Sequence, residues 1–240
     1  MKFNSHRRAF TLLEIILVIG IIVLFLVLLI PFGLRWKQGG NSAICVRNMQ
    51  LIGKAIKTYA TEHEEQLPGP LSQDQYTLDA AGRPPRDGQL LKYIERHLEQ
   101  PANAQGHANN AKTIFTTPAW ENAEHATDAP VFLVNIEKVP AFSQPAWGQE
   151  GKPPLKLSQL KDWTWSVGMK EHPVEISKMW ALTEADQKLA KLIGINPKIA
   201  KWVKRMPSQP VHFTHRNALY FDWHVETLVL FNTAEKILEK

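Results

Sequence analysis

The chain has 240 residues, 44% of them hydrophobic and 21% charged, and a formal charge of +5. That length supports one domain with a proper core, and eight Trp with sixteen Pro argue for a loop-rich globular part and against a disordered chain. Lys2, Arg7 and Arg8 hold three of the five net charges ahead of the first apolar stretch and leave +2 without them, so nucleic acid is not an expected partner.

Between Ile15 and Ile30 only Gly20 is not Ile, Leu, Val or Phe. Taken with residues 10–14, this run makes ~32 Å of helix at ~1.5 Å per residue, against a hydrocarbon core of ~30 Å. Some fifteen strongly apolar side chains give roughly −5 to −9 kcal/mol for insertion, and a mid-helix carboxylate costs about 2.5–3.5 kcal/mol. A membrane span is therefore expected, and Glu14 within it requires a partner. Three readings are open for the segment. A secretory signal would end at a small-x-small site, and "PFGLRWKQGG" (31–40) offers none. A plain anchor explains the position of Glu14 but not the pattern around it. The third reading is a signal cut ahead of the apolar run.

"A-F-T-L-L-E" (9–14) after a short basic leader resembles the cleavage and methylation signal of type IV pilins and type II secretion pseudopilins. The resemblance implies a cut by prepilin peptidase between Ala9 and Phe10, and methylation of the new Phe10 amine. Ala9 stands where the family usually has Gly. Glu14 matches the acidic position, one helical turn from that amine, where it would set the stagger between subunits. Pro31 falls where pilin helices often kink, since Pro removes a helical hydrogen bond.

Cys45, Met49, Ile52, Ile56 and Tyr59 recur at steps of four and three, so residues 41–63 are predicted as an amphipathic helix packed on a sheet. Gly39 and Gly40 soften the chain just before it. Pro68 and Pro70 end it. A helix is predicted near 88–100, and residues 101–112 read as a flexible connection. Strands are predicted at 113–117, 131–136, 163–169 and 177–182 from their β-branched and aromatic content. Residues 183–194 read as a helix, with Thr183 and Asp186 as a capping-box variant. Pro197 opens a further turn. A hairpin over 217–231 and a short terminal helix close the chain.

"VHFTHRNALYFDWHVETL" (211–228) is similar to a C-terminal motif of prepilin-like proteins, a His, nine residues, then Asp-Gly followed by His-Val. His212, Asp222, His224 and Val225 fit it; Trp223 replaces the Gly and leaves the turn type open. Family members often pair a helix Cys with a later Cys-Pro. Here Thr117 precedes Pro118, so the single cysteine, Cys45, reads as a small apolar residue.

His212, His215, Asp222 and His224 are the densest set of potential metal ligands, although Asp222 and His224 flank a turn, where hydrogen-bond support is the more common role. Arg216 and Asn217 read as part of that support. Calcium is left open and unassigned, because Asp74, Asp79 and Asp87 are too dispersed for a binding loop. No enzyme signature is present: Thr164 in "TWSVG" stands where a nucleophile elbow needs Gly.

The expected fold is α+β and pilin-like, a long N-terminal helix on a small antiparallel sheet. Its parts are a leader (1–9), a transmembrane and assembly helix (10–31), an amphipathic continuation (32–63) and a periplasmic domain (64–240). The expected setting is a single-pass inner-membrane protein with its N-terminus cytoplasmic. Expected partners are the peptidase, other pilin or pseudopilin subunits and an inner-membrane assembly platform. The expected role is a non-enzymatic filament subunit. The alternatives are an envelope metal-binding module or enzyme using the His212 cluster, and an adhesive or DNA-uptake pilin.

Overall fold

The computed structural model describes residues 12–77, 87–98, 111–116, 118–126, 128–167 and 170–229; the side chains of 26–39, 111–112, 162, 165–172 and 229 lie outside the description. The chain divides into two units, Met1–Gly40 and Asn41–Lys240. Helix α1 (Leu12–Glu62) contributes residues to both. Ala9 and Phe10 lie outside the described residues. Pro31 falls within α1.

In the first unit the apolar side chains from Leu12 to Phe25 are exposed. The expected membrane-spanning half-helix, and with it the inner-membrane single-pass topology, is corrected here. Among the described residues no helix is long and apolar enough to cross a membrane. The apolar stretch whose side chains are described is 14 residues.

The second unit is α+β. After α1 come β1 (Asp74–Gln75), α2 (Leu90–Leu98), α3 (Ala111–Phe115), α4 (Pro118–Glu121), β2 (Phe132–Val134), β3 (Lys138–Val139), β4 (Gln144–Pro145), β5 (Thr164–Val167), β6 (Lys170–Pro173), β7 (Trp180–Glu184), α5 (Gln187–Leu192), β8 (His215–Tyr220) and β9 (Val225–Val229). Five strands form one antiparallel sheet in the order β1-β2-β7-β8-β9, and β3-β4 and β5-β6 are separate two-stranded pairs.

Residues 41–62 of α1 lie on this sheet as their periodicity predicts. Cys45, Met49, Ile52 and Ile56 are fully buried, and Tyr59 packs at the edge of the core. Strand alternation supplies the other side of the contact: Leu182 and Leu219 belong to the core that α1 enters, whereas Ala218, Tyr220 and Leu228 form a second cluster with Trp180. Gly53 lets the two layers approach closely. A Cβ there would lie 2.9 Å from Leu219 Cδ1 and 3.5 Å from Trp223 Cβ.

Two local predictions are corrected. Of the residues 113–117 predicted as a strand, 113–115 lie in helix α3, Ala111–Phe115. Adjacent Ile114 and Phe115 are both buried there, and Phe115 meets the Phe132 ring edge-on at 5.1 Å. Thr183 is no helix cap: it lies in β7, where its hydroxyl donates to Asn217 O. Asp186 caps α5 by itself, accepting from Leu189 N–H at 2.8 Å.

Trp223 takes the left-handed backbone its motif position ordinarily gives to Gly, at φ 73°. Its N–H donates to Tyr220 O at 2.9 Å, and Tyr220 N–H donates to His224 O, closing a three-residue loop between β8 and β9. The left-handed conformation costs a side-chain-bearing residue about 1–2 kcal/mol. Packing of Trp223 against the core offsets this.

Two stability measurements check this layer contact. Gly53→Val should lower unfolding free energy in urea by about 1–3 kcal/mol, from overpacking against Leu219. Trp223→Ala keeps the left-handed cost and loses the indole, so it should be less stable than Trp223→Gly by about 1 kcal/mol; equal stabilities would show that the turn is not strained.

Candidate functional site

Three segments converge at one end of the helix–sheet interface. The apolar stripe of α1 directs Cys45 at the sheet. In β7 the two-residue period that turns Leu182 toward α1 also turns Glu184 there, so an acid occupies a core-facing position. Before β8 the chain folds back on itself: Phe213 N–H donates to Pro210 O, Thr214 N–H donates to His212 O, and Phe213 is left-handed at φ 63°. That turn brings His212 inward.

Glu184 is the hub. Its Oε1 accepts from Cys45 Sγ at 2.6 Å and contacts His212 Nε2 at 2.9 Å. Its Oε2 accepts from the Asn217 N–H at 2.8 Å. Cys45, Glu184 and His212 are 0, 3 and 3% exposed. The potential ligand atoms of these three residues all lie within 4.8 Å of one another, and thiol, carboxylate and imidazole are together a donor set for a transition metal. His215 extends the cluster. Its ring stacks on His212 with centroids 4.9 Å apart, and its Nε2 lies 2.9 Å from Ser42 Oγ of α1. Burial lowers the His215 pKa, and the neighbouring His212 lowers it further, against the opposite pull of Glu184.

Two residues beyond Glu184, Asp186 forms a buried bidentate pair with Arg216. Arg216 Nε reaches Oδ2 at 3.0 Å and Nη2 reaches Oδ1 at 3.1 Å. Burial pushes the Asp186 carboxyl up, while the Arg216 guanidinium and the Leu189 N–H hold it down. The same carboxylate caps α5, so one residue fixes both the helix start and β8.

The C-terminal set read from the sequence divides into two places. His212 and His215 lie at the start of β8, and Asp222 and His224 at its far end, separated by ~20 Å at ~3.3 Å per residue. At the turn, Asp222 Oδ1 meets His224 Nδ1 at 2.5 Å and accepts from His224 N–H at 3.2 Å, which is the hydrogen-bonding expected of a turn Asp. Asn217 N–H bonds Glu184 of the polar cluster, whereas Arg216 pairs with Asp186. Glu14 lies in the first turn of α1, where the helix dipole favours an acid. Asp74 is half-buried beside Tyr76, Asp87 pairs with Lys92, and Asp79 lies outside the described residues. Glu184 escaped the sequence reading, and Cys45 was assigned an apolar role. The available signal was an acid two residues beyond Leu182 on a strand.

Arg216→Met leaves the Asp186 carboxylate buried without its cation and should cost about 3–5 kcal/mol in urea unfolding. Adding Asp186→Asn should recover part of that loss, because the double variant buries no charge. A double variant as unstable as the sum of its parts would contradict the pairing.

No family model matches this chain, and neither a curated protein nor a solved structure matches it.

Proposed function

We propose that the chain is a structural subunit of a pilin-like or pseudopilin filament, cut between Ala9 and Phe10 and assembled through α1. The observation that carries this reading is the first unit. From Leu12 to Phe25 every described Leu, Ile, Val and Phe side chain is solvent-exposed, on all sides of the helix. Leaving a large apolar side chain in water forgoes about 1.5–3 kcal/mol relative to full burial, so this segment requires a covering surface. The same segment from other copies of the chain supplies one. The leader, the cut position and Glu14 are the sequence features that support it, through their resemblance to the prepilin signal.

In this reading cleavage exposes a cationic amine on Phe10, and Glu14 of one subunit meets the amine of the next. Desolvation of both charges subtracts from their attraction, so the pair selects register more than it adds stability. The polar junction between α1 and the sheet then fixes the globular unit to its own helix. The role is mechanical and requires no catalysis.

Intact mass and N-terminal sequencing of the protein recovered from its native cells should give a mature chain beginning at methylated Phe10. A chain that retains residues 1–9 overturns the assignment. Glu14→Gln should be processed normally yet yield severalfold less filament; unchanged yield would remove the register role.

A further inference from the structure

We propose that Cys45, Glu184 and His212 are the ligands of a divalent transition-metal ion, zinc by donor type, which clamps α1 to the sheet. This inference stands whether or not the chain assembles into filaments.

The three donors come from three separate segments, α1, the end of β7 and the turn before β8, and all three side chains are buried where they meet. Metal–ligand bonds of ~2.0–2.3 Å at tetrahedral angles place ligand atoms about 3.3–3.7 Å apart. The Sγ–Oε1 and Nε2–Oε1 separations are 2.6 and 2.9 Å. Opening them by roughly half an ångström to one ångström, within the reach of side-chain torsions, makes room for the ion.

Charge points the same way. A divalent ion bound by one thiolate, one carboxylate and a neutral imidazole has no net charge, so the complex can remain buried. Thiolate with imidazole selects zinc-like ions over calcium and magnesium, which prefer an all-oxygen shell. The surroundings hold the donors in place: Asn217 N–H fixes the second Glu184 oxygen, and the His215 ring, linked to Ser42, lies flat against His212.

Binding forms metal–sulfur, metal–nitrogen and metal–oxygen bonds and breaks the Cys45 S–H bond, releasing its proton to solvent. His212 binds through Nε2 with its ring proton on Nδ1. A water completes a tetrahedral shell. No electron is transferred.

Untagged full-length protein is titrated with Co²⁺ and then with Zn²⁺. The expected result is saturation at one equivalent, a near-ultraviolet thiolate-to-cobalt charge-transfer band with tetrahedral visible absorption, bleaching by Zn²⁺, and a raised melting temperature. Cys45→Ala should lose the charge-transfer band, and His212→Gln the one-equivalent saturation; His224→Gln, at the far end of β8, should keep both. Wild-type protein with no charge-transfer band and no zinc-dependent rise in melting temperature overturns the proposal, without reliance on any variant folding. One-equivalent binding that survives Cys45→Ala and disappears with His224→Gln overturns it too, placing the metal at the exposed turn.

Discussion

The second unit is organised around a carboxylate that it cannot leave unsatisfied. Glu184 is buried at the end of β7, where an unpaired charge would cost several kcal/mol. Donors from α1, from the turn before β8 and from the β8 backbone all meet it. These groups are 139, 28 and 33 residues away along the chain. The requirement to surround one acid therefore fixes the position of α1 along the sheet and the path of the chain into β8. Apolar packing of Met49, Ile52 and Ile56 would tolerate sliding by part of a turn; hydrogen bonds to a single carboxylate would not.

A second buried charge sits beside the first and does different work. Asp186 starts α5 and holds Arg216, so the helix after β7 and the strand after the long connection share one anchor. The bidentate geometry matches a guanidinium and would not suit a lysine. Together the two acids make the sequence 184–186 the junction of α1, β7, α5 and β8. The hairpin beyond it is held by packing. There Gly53 on α1 leaves room for Leu219 of β8 and for the Cβ of Trp223 on the turn.

Much of this was legible along the chain. The four-three spacing of Cys45, Met49, Ile52 and Ile56 identified the buried face of α1, because helical period and burial are the same information. Short β-branched runs identified β2, β5 and β7, and the C-terminal hairpin was plain from its flanking strands. The 113–117 segment misled because Thr and Ile favour strands locally, while α3 carries Phe115 against Phe132 of β2. The C-terminal polar cluster misled differently: residues that bracket β8 look dense in sequence and lie at its two opposite ends in space. Trp223 adopted the glycine conformation despite its side chain, since turn geometry was set by the β8–β9 register and the indole found a core to cover.

By itself the sequence determined that residues 15–30 are almost wholly apolar, that residues 41–62 bury one stripe, and that an antiparallel sheet receives it. These follow from local periodicity, which the chain carries whatever its partners. Only the tertiary structure decided that Cys45, Glu184 and His212 share one site. Their meeting depends on strand register, on a left-handed turn at Phe213 and on how far α1 runs along the sheet. Those are long-range geometric facts, and no pattern of neighbouring residues encodes them.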